Sequence, residues 1–209
     1  MSKLSISANN LSKRYNREWI FRNLNYTFEQ GKTYAITGPN GSGKSTLMQV
    51  LWGQLPMSEG NLAYTLNNQP VDMDEVFKQV SIATPYMELI EEFTLHEQVA
   101  FHFKSRPVIN GYSLQEVIEI MYLEQAKDKY ISNFSSGMKQ RLKLGLAFLT
   151  DTPALFLDEP GTNLDRQAFD WFTQQLKNMC ANRLVCIASN QPEEYPNDAE
   201  IINLSDYKA

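Results

Sequence analysis

The sequence predicts an α/β fold: a parallel-sheet core with an antiparallel β-lobe and a helical lobe. Three observations lead there. Continuous apolar runs at Thr33–Thr37, Ala154–Leu157 and Leu184–Ala188 suit parallel strands covered on both faces. Shorter alternating stretches in residues 1–30 and 60–82, such as Asn61-Leu62-Ala63-Tyr64-Thr65-Leu66, suit an antiparallel side sheet. From Phe93 to Asn133 the apolar spacing becomes helical.

Along the chain, Thr33–Thr37 runs straight into a glycine-rich stretch, Gly38 to Gly43. Leu47, Val50 and Leu51 then fall at helical spacing, and Gly53 followed by Pro56 ends that helix. Thr94-Leu95-His96-Glu97 and Ser113-Leu114-Gln115-Glu116 both match the capping box, in which hydroxyl and carboxylate satisfy the free amides of a helix start. Between them, Ser105 to Tyr112 carries Pro107 and Gly111 and reads as a loop. Ala168, Phe169, Phe172, Leu176 and Met179 form one helical stripe that reads as core packing.

The chain has 209 residues, 43% of them hydrophobic, enough to bury the core of one domain over 1–209. A net charge of −5 opposes binding along a phosphate backbone, so no nucleic acid partner is expected. Cys180 and Cys186 lack both disulfide-framework density and CxxC spacing, and read as reduced, buried thiols in the cytosol. The first ten residues carry no cationic apolar leader, and every apolar stretch is too short to cross about 30 Å of hydrocarbon. A membrane role therefore has to come through a partner. His96-Glu97-Gln98-Val99-Ala100 begins like a zinc motif but has Ala at the second ligand, and no zinc is assigned.

Gly38-Pro39-Asn40-Gly41-Ser42-Gly43-Lys44-Ser45 satisfies G-x-x-x-x-G-K-[ST] between a strand and a helix, the context that confirms a phosphate loop. The candidate ATP-binding set is Gly38, Asn40, Gly41, Ser42, Gly43, Lys44, Ser45 and Thr46. Backbone N–H groups and a helix N-terminus surround the phosphates, and Lys44 reaches the β- and γ-phosphates. The Ser45 hydroxyl is placed for Mg²⁺. Leu155-Phe156-Leu157-Asp158-Glu159 is an apolar strand ending in two acids. Strand carboxyl ends open onto the ligand crevice, so Asp158 is expected to hold Mg²⁺ and Glu159 to act as base on the attacking water.

Asn133-Phe134-Ser135-Ser136-Gly137-Met138-Lys139-Gln140-Arg141 resembles the L-S-G-G-Q signature of ABC-type ATPases, and Glu159-Pro160-Gly161-Thr162-Asn163-Leu164-Asp165 resembles the loop E-P-x-x-x-L-D of that family. The resemblance implies a P-loop NTPase of the ABC ATPase type, one domain with its helical lobe at about residues 86–134. It further implies that two cassettes sandwich two ATP molecules, with Ser135, Ser136 and Gly137 contacting ATP across a homodimer or heterodimer interface. Tyr15 is similar to the aromatic that stacks on adenine, with Trp19 and Phe21 as nearby competitors. Two positions depart from the family: Pro85 stands where a Gln is usual, and Asn190 where the switch His is usual. The retained Glu159 favours hydrolysis. The implied role is the ATP-binding and ATP-hydrolysing subunit of an ABC transporter, cytoplasmic, held at the inner face of the cell membrane by separate permease subunits. The alternative is a soluble ABC ATPase or a slow nucleotide-dependent switch. Soluble relatives usually need a long coiled-coil insertion or a second cassette, and neither fits this length.

Overall fold

The computed structural model describes residues 3–208. The antiparallel lobe begins the chain with β1 (Leu4–Tyr15) and β2 (Glu18–Glu29). The next strand, β3 (Thr33–Thr37), belongs to the core and leads through the glycine-rich loop into helix α1 (Lys44–Leu51). The chain then returns to the lobe with β4 (Glu59–Leu66) and β5 (Gln69–Val71), and the four lobe strands lie in the order β2-β1-β4-β5. Alternation fixes which side is buried: Leu4, Ile6, Ala8, Phe21, Leu24 and Phe28 cluster with Ile36, Leu47 and Leu51 beneath the lobe. Phe21 is thus a core residue.

The parallel sheet is completed by β6 (Val80–Ala83), β7 (Ala154–Asp158), β8 (Leu184–Ala188) and β9 (Glu200–Asn203), in the order β6-β7-β8-β3-β9. Every residue of β7 and β8 is buried, as expected for two-faced coverage. Two strands differ from expectation. Residues 80–82, read as part of the antiparallel region, instead pair in parallel with β7, from Val80 opposite Ala154 to Ala83 opposite Leu157. A 3-10 helix at Met73–Lys78 carries the chain from one sheet to the other. The edge strand β9 has only Ile202 buried and so carries no apolar run to announce it.

The helices are α2 (Leu95–Ser105), α3 (Leu114–Ile120), α4 (Ser136–Leu149) and α5 (Arg166–Met179). Both capping boxes form: the Thr94 N–H donates to Glu97 Oε2 at 2.8 Å, and the Ser113 N–H to Glu116 Oε2 at 2.8 Å. Leu95, Val99, Val117 and Ile118 make a separate helical-lobe cluster that also takes Leu142 and Leu146 of α4. Leu144 and Phe148 of the same helix pack on the sheet instead. Within the α5 stripe, Ala168, Phe172 and Leu176 are buried, joined by Trp171, whose Nε1–H donates to Ile120 O at 2.7 Å. Cys180 and Cys186 are buried and unpaired.

Register sets the site. Ala188 lies opposite both Ile36 and Asp158, so the carboxyl ends of β3, β7 and β8 emerge side by side.

Candidate functional site

The phosphate loop leaves β3 with Gly38 and closes on α1 through Gly43. At Gly43 the backbone has φ +102°, and a Cβ would stand 2.2 Å from Ile20 Cγ2, so only glycine fits. No side chain caps α1, and its first amides stay free for an anion. Lys44 is buried, and its ammonium donates to the carbonyls of Gly38 (2.8 Å) and Pro39 (3.4 Å). These acceptors are neutral, so they hold the ammonium over the loop without cancelling its charge.

Asp158 is 3% exposed, and its Oδ1 has no hydrogen-bond partner. Burial raises its carboxyl above the usual range, opposed by the neighbouring Ser45 hydroxyl and Lys44. An unpartnered buried carboxylate oxygen is costly unless a cation answers it. Beside a serine hydroxyl, it forms the all-oxygen donor set that suits Mg²⁺. Glu159, next in the chain, is exposed and has φ +45°, a region few non-glycine residues adopt. That turn breaks the strand, leaving Asp158 buried and Glu159 at the edge, with the Glu159 N–H bonded to Ala188 O at 2.9 Å.

From the end of β8, Asn190 reaches the phosphate loop itself. Its Oδ1 accepts the Gly38 N–H at 3.0 Å, and its Nδ2 donates to Asn40 Oδ1 at 3.4 Å. The structure thereby gathers Gly38, Asn40, Lys44, Ser45, Asp158, Glu159 and Asn190 at the carboxyl end of the sheet. The signature residues are elsewhere. Ser135 caps α4, accepting the Met138 N–H at 3.2 Å; Ser136 is exposed, and Gly137 lies against Asn163 O. Tyr15 is half-exposed at the end of β1, with Lys13 Nζ 5.2 Å from its ring centre. Phe21, being buried, is removed as its competitor. Trp19 faces the guanidinium groups of Arg14 (5.3 Å) and Arg22 (4.7 Å).

Pro85 offers only its carbonyl, which accepts from Lys143 Nζ at 2.7 Å. Its neighbours Thr84 and Tyr86 line a cleft of about 210 Å³ with Asp158, Gln49 and Trp52, so polar groups other than residue 85 face the acid. Two site-supporting residues carried no separate expectation. Gln140, inside the signature stretch, donates from Nε2 to Pro160 O at 2.9 Å. Glu194 accepts the Gly161 N–H at 3.1 Å, and its acidic Pro192-Glu193-Glu194 surroundings look in sequence like a solvated turn.

Residues 21–162 match the family described as ABC transporter. The linearmycin resistance ATP-binding protein LnrL of Bacillus subtilis (strain 168) is 27% identical over 181 residues, 83% of this chain and 57% of that protein. The Nod factor export ATP-binding protein I of Burkholderia orbicola (strain AU 1054) is 28% identical over 198 residues, 93% of this chain and 65% of that protein. The chain thus spans less than two-thirds of the length of these two relatives. The fold superposes with a TM-score of 0.79 at 23% identity on a dimeric ATP-binding cassette solved in a post-hydrolysis state with ADP and Pi, covering 95% of this chain and 93% of that one.

Proposed function

This chain belongs to the ABC transporter family, and from that premise we propose that it is the ATP-binding and ATP-hydrolysing subunit of a transporter whose membrane-spanning chains are separate polypeptides. The observation that carries the chemistry is the unpartnered Oδ1 of Asp158 beside Ser45, with Lys44 and Glu159 at the same end of the sheet.

In this reading the loop amides and Lys44 hold the β- and γ-phosphates, and Tyr15 stacks on the adenine. Ser45 and Asp158 would hold Mg²⁺, which when bound neutralises charge on the phosphate oxygens. Glu159 takes the proton of the attacking water, and the Asn190 amide donates to a γ-phosphate oxygen. Ser135, Ser136 and Gly137 complete the site of a second cassette, through a helix start left open to solvent. Among the described residues no helix is long and apolar enough to cross a membrane. In this reading coupling to transport goes through partner chains at the inner face of the membrane.

Two substitutions test this. Lys44→Ala is expected to abolish measurable ATP binding by calorimetry, because it removes the cation held over the loop. Glu159→Gln is expected to keep binding and lower turnover by about 10²–10⁴, the span of a lost general base. Parental turnover in Glu159→Gln would mean that another group activates the water and would overturn the assignment.

A further inference from the structure

Glu194 is 1% exposed, at the end of the 3-10 turn Pro192–Glu194 that follows Asn190. Its Oε1 accepts the Gly161 N–H at 3.1 Å, and its Oε2 is buried with no hydrogen-bond partner. A Cβ on Gly161 would stand 2.2 Å from that Oε1, so a side chain at 161 would require the carboxyl to move. Gly161 lies two residues after Glu159, and Ser189, whose hydroxyl neighbours the carboxyl, lies one before Asn190. One buried carboxyl therefore touches both segments that bring polar groups to the phosphate loop. From the other side, Gln140 holds the same loop through Pro160 O.

We propose that Glu194 is a positioning residue for ATP hydrolysis, holding the backbone after Glu159 against the segment that carries Asn190 so that the base and the phosphate donor keep one separation. The proposal rests on the reading of Glu159 and Asn190 given above. Its chemistry is that of an acceptor in a fixed place. Burial raises the Glu194 carboxyl above the usual range, opposed by the Ser189 hydroxyl and the Gly161 N–H, while the charged groups that face it, Glu159 and Glu193, push it up. The contact asks only for an acceptor, and Oε1 supplies it to the Gly161 N–H. Glutamine, which keeps that acceptor at the same reach, is then the conservative replacement. Alanine is not.

The test compares the parent chain, Glu194→Gln and Glu194→Ala by steady-state ATP turnover, melting temperature and amide hydrogen exchange. Glu194→Ala is expected to lower kcat roughly 10- to 100-fold and leave KM within about a factor of three, the signature of lost alignment in the transition state. Glu194→Gln is expected to keep both near parental values. Exchange at Gly161 and across residues 188–191 is expected to accelerate in Glu194→Ala and not in Glu194→Gln. Parental kcat in Glu194→Ala overturns the proposal, as does a loss of kcat matched by an equal loss of folded protein. A Glu194→Gln chain as impaired as Glu194→Ala also overturns it, because the acceptor geometry would be intact. If the parent itself hydrolyses no ATP, the hydrolysis reading has failed on its own. Exchange then decides the positioning role, and unchanged exchange in Glu194→Ala overturns it.

Discussion

Asn190 holds the Gly38 N–H with its oxygen and turns its amide toward Asn40, so a single side chain has two separable roles. The oxygen holds the Gly38 N–H of the phosphate loop; in the proposed function the amide donates to a γ-phosphate oxygen. A hydrogen bond to a charged group contributes about 1.5–3 kcal/mol, and about 1.4 kcal/mol in the barrier is tenfold in rate. Asn190→Ala is therefore expected to reduce turnover by roughly tenfold or more. Asn190→Asp separates the roles, since it keeps an acceptor for Gly38 but sets a carboxylate against phosphate. Turnover in Asn190→Asp is expected to fall at least as far as in Asn190→Ala. If the aspartate variant is clearly the faster of the two, shaping the loop is all that Asn190 contributes. Residue-level legibility followed contiguity. Gly38 to Ser45 could be read because its parts are consecutive, whereas Glu194 becomes a buried acceptor only when its turn meets Gly161, 33 residues away.

Helix α2 places a histidine where charge is costly. His102 Nε2 lies 2.8 Å from Thr150 Oγ1, and that hydroxyl donates its own proton to Leu146 O at 2.6 Å. The ring nitrogen Nε2 must therefore carry the hydrogen and donate it. Burial first, and then Arg106, pushes its pKa from 6.5 down to about 4. The unfolded chain takes up this proton at higher pH than the folded one, so the contribution to stability is complete above 6.5 and is lost as pH falls through about 4. The span amounts to about 3 kcal/mol. Asp158 and Glu194, with raised carboxyls, act in the opposite direction, so the difference between parent and His102→Gln isolates the imidazole. Melting curves between neutral pH and pH 4 are expected to fall more steeply for the parent, and parallel curves would exclude His102 as the cause. Elements were legible where their determinants are local. The capping boxes at Thr94 and Ser113 needed only four residues each. The strands β6 and β9 were obscure because each is four residues long and is defined by pairing with β7 or β3, distant in sequence.

At the scale of the whole molecule, the signature segment and the phosphate loop sit on different elements, and Ser135 and Ser136 are exposed at the start of α4. In the proposed reading, a second cassette supplies the phosphate those residues meet. Glu159→Gln with ATP and Mg²⁺ is therefore expected to sediment as a dimer, and with ADP as a monomer. A monomer under both conditions would exclude the homodimer and point to a different cassette as partner. The general architecture was legible because the buried strands β7 and β8 carry unbroken apolar runs. The division of labour within α4 was not, since apolar spacing shows that a helix is buried but not which neighbour covers each side. That helix has 14 residues, a rod of about 21 Å. One end presents Ser135, its middle grips Pro160 through Gln140, and one turn later Lys143 grips Pro85. Its Leu142 and Leu146 are embedded in one cluster and its Leu144 and Phe148 in another. A stiff rod seated in two clusters serves as a common ruler. The outward-facing serine, the loop after Glu159 and the chain at Pro85 are therefore all tied to one rigid element, and their separations are set by a single helix.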